Sequence, residues 1–303
     1  MKTFFLMMTV IGALVSAVTA DAGEKLRVVA TVEDLACIAR EVGGDAVTVA
    51  AIANGAQDPH FLDAKPSYLV QLNRADVLIE NGGELEVGWL PVLVNGARNR
   101  KILPGAPGRV TAMKGIEMLE VPTGLSRAEG DVHPFGNPHF TTDPANAKII
   151  AQNICDAFSA VAPAEAAKFR MRLDMFNARG DLAMKRFLNT MSPVRGLKIV
   201  TYHKTFSYFA RRFGLDVVAT IEPKPGVAPS PSYLAGLIVK MKTDGVKLIL
   251  AEPFRDVKVA EFVAAKTGAK LLVTPSGVGG SDKGQNLFSY FEGLTFDIVN
   301  AVK

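Results

Sequence analysis

The chain has 303 residues, 49% hydrophobic and 21% charged, which excludes a disordered, collagen-like or disulfide-scaffold protein and allows one large or two ordinary cores. Lys and Arg outnumber Asp and Glu by only 34 to 30, a net charge of +4 with no basic run, so nothing points to nucleic acid. With only four His, two Cys and one Trp, any site built from histidine must use most of the supply.

Residues 1–20 open with Met1-Lys2, continue through an apolar run over 4–15 and end in Ser16-Ala17-Val18-Thr19-Ala20. One positive charge, an apolar stretch and small residues at Val18 and Ala20 predict a secretory leader cleaved after Ala20. The apolar run falls short of the ~20 residues needed to cross a bilayer. No Cys stands near the cleavage point to carry a lipid anchor. Loss of Lys2 lowers the net charge from +4 to +3. The expectation is an exported, soluble, periplasmic protein. In that oxidising compartment Cys37 and Cys155, both in helical patterns, either pair or remain buried free thiols.

The next segments alternate. Residues 27–31 form a β-branched run, and 33–42 a helical pattern closed by Gly43-Gly44. A second apolar run covers 47–53 and stops at Asn54-Gly55; a helix is predicted over 65–75, a strand over 76–79 and a helix over 86–94. Strands alternating with helices through short Gly-containing links indicate a parallel sheet covered on both faces. The pattern returns after residue 195, with strands expected over 198–202, 217–221, 247–251 and 270–274. Helices are expected over 205–213, 232–243, 257–267 and 287–302.

Between the halves, residues 163–191 carry no Pro after the first position; Pro163 is suited to open a helix and Ser192-Pro193 to end it. Gly180 weakens that helix by roughly 1 kcal/mol without breaking it. The predicted organisation is α/β: an N-terminal lobe over 21–162, a connecting helix over 163–192 and a C-terminal lobe over 193–303. A rigid spine of ~40 Å, at 1.5 Å per residue, implies small lobe motions. The alternative is one continuous doubly wound domain with a long crossover helix.

His60 follows the strand at 47–53, His203 ends the strand at 198–202, and His139 lies in a loop before the helix opening near Asp143-Pro144. Open α/β sheets bind ligands beyond the carboxyl ends of their strands, and the prolines before His60 and His139 stiffen the backbone. Three imidazoles in one cleft suit Zn²⁺, which takes nitrogen ligands in a tetrahedral shell.

The motifs Asp58-Pro59-His60-Phe61, Asn137-Pro138-His139-Phe140-Thr141 and Tyr202-His203-Lys204-Thr205-Phe206 together resemble the solute-binding proteins of zinc and manganese ABC importers, the cluster 9 family. Ile221-Glu222-Pro223, Pro229-Ser230-Pro231 and Leu250-Ala251-Glu252-Pro253-Phe254 extend the likeness over nearly the whole mature chain. The resemblance implies two parallel-sheet α/β lobes joined by one long rigid helix, with metal held between them by His60, His139 and His203. It also implies a permease partner in the inner membrane, with a periplasmic metallochaperone as a further candidate. A monomer is expected.

This chain departs from the family at the fourth ligand. Many members carry an Asp after the last strand, where this chain reads Val273-Thr274-Pro275-Ser276-Gly277. Asp282, Glu222 or a water are the candidates to complete the shell. The His-dominated set, with His203 where manganese-type members carry Glu, favours zinc over manganese. His133, in a loop with Glu129 and Asp131, is a candidate auxiliary ligand. Asp58 either orients an imidazole or is an ordinary turn residue. Glu252 reads as structural, and Phe206, Tyr208 and Phe209 as a helix face packed on a sheet.

Three His and a water also describe a catalytic zinc site, so a zinc hydrolase is the competing reading, followed by binding of a metal chelate or siderophore. The chain contains no HExxH and no GxSxG, which favours a binding protein over an enzyme.

Overall fold

The computed structural model describes residues 24–303 except 125–129, 131–132 and 283. The expected leader, and Glu129 and Asp131 beside His133, lie outside the described residues.

The first sheet contains β1 (Leu26–Val32), β2 (Val47–Ala53), β3 (Val77–Glu80) and β4 (Arg109–Thr111), all parallel, in the order β2-β1-β3-β4. The second contains β5 (Lys198–Thr201), β6 (Asp216–Thr220), β7 (Leu248–Ala251) and β8 (Lys270–Val273), again parallel, in the order β6-β5-β7-β8. In each sheet the chain leaves its first strand in one direction and its third in the other. That switch opens a crevice at the carboxyl ends.

The inner strands β1, β3, β5 and β7 are largely apolar because both faces are covered, whereas the edge strands carry polar residues and are only partly buried. In β1, Val28, Ala30 and Val32 face a central core while Val29 joins a second cluster with Leu72, Trp89 and Leu93. In β7, Leu248 and Leu250 face the same central core, and Ile249 and Ala251 face an outer cluster with Leu237 and Met241. The period of two sorts each strand between inner and outer layers.

α2 (Pro66–Arg74) and α3 (Leu90–Ala97) cover the outside of the first sheet, and α7 (Pro231–Asp244) and α8 (Val257–Thr267) the outside of the second. α1 (Glu33–Gly43), α4 (Asn146–Val161), α5 (Ala166–Met191), α6 (Ser207–Phe213) and α9 (Leu287–Ala301) contribute to the central core. The long helix α5 has 26 residues. Its Phe169, Leu173, Phe176, Ala183, Phe187 and Met191 are buried at helical spacing and pack toward α1, α4 and α9. One continuous core therefore runs through both lobes. Each buried Phe contributes on the order of 1.5–3 kcal/mol, so the spine is held along its length.

Two local departures from expectation have physical causes. The helix expected over 86–94 starts only at Leu90, because Glu86 turns back into the sheet. Its carboxylate accepts the Thr31 hydroxyl at 2.5 Å and the backbone N–H groups of Asn81 at 2.6 Å and Gly82 at 3.2 Å. The three-residue edge strand β4, after Pro104-Gly105-Ala106-Pro107-Gly108, is too short to leave a periodic signal.

Cys37 and Cys155 are both free thiols buried in the central core. Burial, with Glu33 nearby, pushes the Cys37 thiol up to about 12, so the side chain behaves as a small apolar group. Among the described residues no helix is long and apolar enough to cross a membrane.

Candidate metal centre

Each relevant side chain leaves a strand end or the loop beyond it. After β2, Asp58 Oδ1 accepts from the backbone N–H of His60 at 3.1 Å and from its ring Nδ1 at 2.9 Å. Before α4, Asn137 Oδ1 does the same for His139, at 3.0 Å to the backbone and 2.8 Å to the ring. Both are Asx turns across a proline, so one oxygen sets the loop and the ring together. Beyond β5, His203 Nδ1 donates to Glu222 Oε2 at 2.5 Å, and Glu222 Oε1 accepts from Gly226 N–H at 3.0 Å. An acceptor at every Nδ1 selects the Nδ1–H tautomer and makes each Nε2 the lone-pair nitrogen.

The three rings converge. Centroid separations are 5.1 Å for His60–His139, 5.1 Å for His139–His203 and 5.7 Å for His60–His203. One nitrogen from each lies within 4.8 Å of the other two. His139 and His203 are buried and His60 is half-buried. Burial, with His60 and His203 alongside, holds His139 well below the usual imidazole range. It is therefore neutral and able to donate a lone pair at physiological pH.

His133 stands against the same cluster. Its Nε2 lies 3.2 Å from His60 Nε2, and the ring centroids are 5.2 Å apart. Two nitrogens bound to one tetrahedral Zn²⁺ at 2.0–2.1 Å stand about 3.3 Å apart, so the distance to His60 fits two ligands of one ion, while the set whose ligand atoms all lie within 4.8 Å of one another is His60, His139 and His203 without His133. Burial and the neighbouring His60 and His203 lower His133 to about 4. A cavity of about 150 Å³, lined among others by Glu120, His133, His139, His203 and Lys204, opens onto the cluster.

The other sequence candidates fall in different places. Asp58 is the carboxylate that orients His60, and its Oδ2 also meets Arg255 at 3.2 Å. Burial raises its pKa, and the His60 hydrogen bond with the Arg255 charge outweighs that, leaving it below the usual carboxylate value. Glu222 lies against His203 and is engaged there. Asp282 is exposed and lines a separate cavity with Tyr290 and Asp297. Glu252 is fully buried, with neither carboxyl oxygen hydrogen-bonded. Phe206, Tyr208 and Phe209 are core residues, and the Tyr208 hydroxyl accepts from Leu119 N–H at 2.9 Å and donates to the Asn137 carbonyl at 2.7 Å.

The segment after β8 is a clasp between the lobes. Gly55 N–H donates to the Val278 carbonyl at 2.9 Å, Ser276 N–H to the Gly55 carbonyl at 3.1 Å, and Val278 N–H to Asp34 Oδ1 at 3.3 Å. A Cβ on Gly55 would stand 2.0 Å from the Gly277 carbonyl oxygen, and one on Gly277 would stand 2.1 Å from Asp34 Oδ2. Only glycine permits both approaches. The orienting role of Asn137 was missed in the sequence, although its Asx-Pro-His spelling repeats that of Asp58-Pro59-His60. Arg255 left no signal there.

Residues 28–301 match the family model for the zinc-uptake complex component A, periplasmic, ZnuA. A metal ABC transporter substrate-binding lipoprotein of Lactococcus lactis is 24% identical over 287 residues, covering 92% of this chain and 88% of the relative. The manganese ABC transporter substrate-binding lipoprotein PsaA of Streptococcus anginosus is 23% identical, covering 92% and 89%. The high-affinity zinc uptake protein ZnuA of Brucella abortus is 26% identical over 132 residues, 44% of this chain and 40% of the relative. A crystal structure of ZnuA superposes with a TM-score of 0.77 at 22% identity, covering 92% of this chain and all of that one. The Mn-bound periplasmic metal-binding protein of Candidatus Liberibacter asiaticus gives 0.76 at 22%, with the same coverage. With the family model spanning nearly all of the described fold, the chain belongs to the ZnuA family of metal ABC transporter substrate-binding proteins.

Proposed function

We propose that this protein captures Zn²⁺ outside the cytoplasm, between its two lobes, and hands it to an ABC permease of the inner membrane. The lobes are residues 21–162 and 193–303, joined by the helix of 163–192, and the leader is removed after Ala20. His60, His139 and His203 bind the ion through Nε2. A water completes the shell rather than Asp282 or Glu222, with His133 beside His60 as an auxiliary ligand.

The observation that carries this reading is the set of three imidazoles whose Nδ1 atoms are all pinned by acceptors while a nitrogen of each lies within 4.8 Å of the others. A shell built from nitrogen suits zinc, whereas manganese prefers the oxygen ligands this cluster lacks. The carboxylates at the site favour binding over hydrolysis. Asp58 is held by His60 and Arg255, Glu222 by His203 and Gly226, and Glu120 by Lys204 at 3.0 Å. None of these three is left to activate a water as general base.

The test is metal analysis of untagged protein, followed by competition for Zn²⁺ and Mn²⁺ against a chelator. Zinc retained against the chelator and manganese surrendered is the expected result. Undiminished zinc retention in His139→Ala and His203→Ala would sink the assignment, and preferential retention of manganese would reverse the choice of metal.

A further inference from the structure

The two Asx-Pro-His motifs hold their own imidazoles alike and meet the opposite lobe differently. Around His139 the cross-lobe links are several. Asn137 Nδ2 donates to the Lys204 carbonyl at 2.8 Å, Tyr208 to the Asn137 carbonyl at 2.7 Å, Thr142 Oγ1 to the Thr205 carbonyl at 3.1 Å, and Arg212 pairs with Asp143 at 2.8 Å. The loop of His60 is tied across the lobes by the backbone clasp at Gly55 and, next to the imidazole itself, by one ion pair among the described residues, Arg255 Nη1 on Asp58 Oδ2 at 3.2 Å.

Arg255 is built for that contact. It follows β7 through Glu252-Pro253-Phe254, its backbone N–H donates to the Glu252 carbonyl at 3.1 Å, and its guanidinium stands 5.3 Å from the centre of the Phe254 ring. Its Nε faces Glu252 Oε2 at 4.0 Å, and the side chain is 12% exposed. The guanidinium thus sits between a carboxylate of each lobe. Both oxygens of Asp58 are committed, one to His60 and one to Arg255. A carboxylate behind an imidazole fixes its tautomer and direction and strengthens the opposite nitrogen as a ligand.

We propose that Arg255 is a positioning residue for the metal: from the C-terminal lobe it holds the carboxylate that aims His60, so the grip of His60 is strongest while the two lobes are together. This rests on His60 being a ligand, as read above. A displacement that draws Arg255 from Asp58 frees the carboxylate behind His60 and loosens that ligand.

The test is the rate at which Zn²⁺ passes from loaded protein to a chromophoric chelator, in wild type, Arg255→Met, Arg255→Lys, Asp58→Asn and the Asp58→Asn/Arg255→Met double variant. Arg255→Met is expected to release about 10–100-fold faster, the usual scale for losing a partner behind a ligand. Arg255→Lys restores part of the retention through its charge. The double variant releases no faster than Asp58→Asn alone, because Arg255 acts through Asp58. A merely structural role would make the two losses multiply, and that result overturns the proposal, as does an unchanged rate in Arg255→Met. Should Arg255→Met not fold, Arg255→Gln against Arg255→Lys reads the same quantity: faster release from Gln supports the proposal and equal rates overturn it. Wild type that binds no Zn²⁺ would overturn the function as well, whereas tight wild-type binding with an indifferent Arg255 overturns this inference alone.

Discussion

The two lobes share one strand order and divide the work at the cleft unequally. The N-terminal lobe contributes His60 and His139, each on a loop set by its own Asx-Pro turn, and His133 beside them. The C-terminal lobe contributes one imidazole, His203, held by Glu222 from the neighbouring strand end. It also contributes the groups that hold the other lobe's loops, Arg255 on Asp58 and the Lys204 carbonyl on Asn137. Each lobe thus holds its own imidazoles at Nδ1, and the C-terminal lobe adds contacts that brace the two acceptors of the N-terminal lobe. Equal topology does not imply equal chemistry, because the clustered histidines sit on loops whose sequences are free to differ while the sheets keep one core.

The contrast is broken most severely at the ligands. His139→Ala and His203→Ala are both expected to lower zinc affinity by more than the roughly 100-fold that a lost orienting partner causes; isothermal titration in competition with a chelator measures it. If only one of them matters, the ion is not shared between the lobes. The orienting partners come next. Asn137→Ala and Glu222→Ala should each cost about 10–100-fold in affinity, with far-UV circular dichroism unchanged. A larger loss at Asn137 would show that its tie to Lys204 matters as well as its hold on His139.

A smaller effect is expected at His133. His133→Ala should weaken zinc by less than His139→Ala, because water holds the fourth position and three nitrogens remain. The visible spectrum of the Co²⁺-loaded protein should change as the auxiliary nitrogen is lost. An unaltered spectrum would remove His133 as an auxiliary ligand.

The least effect on binding, with a visible effect on stability, is expected at the clasp. Burial pushes the Asp34 carboxyl up to about 7, only partly opposed by the Val278 N–H. The folded state therefore retains a proton that the unfolded chain releases near pH 4. That contribution is complete below about pH 4 and is lost as pH rises to about 7. Asp34→Asn keeps an oxygen for Val278 and cannot titrate. The melting temperature of metal-free wild type, relative to Asp34→Asn, should rise as pH falls from neutral toward 4. A constant difference across that range would mean that Asp34 titrates normally.

Much of the architecture was legible in the chain. Strands such as β1 and β7 are short apolar runs ending in polar or glycine-rich links, and α8 occupies the residues its pattern predicts. The three histidines that the fold brings together stood out in the chain because two follow an Asx-Pro pair and the third ends a strand. Less visible were β4, three residues at a sheet edge, and the late start of α3, where a buried Glu86 replaces a helical turn with side-chain hydrogen bonds. The placement of His133, 73 residues from His60, depends on a loop with no periodicity to read.

Apolar runs and their spacing were enough to indicate two parallel sheets with a long helix between them, because burial on both faces selects apolar residues for the inner strands. What closes the cleft was decided elsewhere. Asp58 and Arg255 touch across almost two hundred positions of chain, and Asp34 meets Val278 across 244. Such contacts obey no local period. They arise only once the common core has brought the two lobes together, and so the partners that aim the histidines belong to the folded molecule.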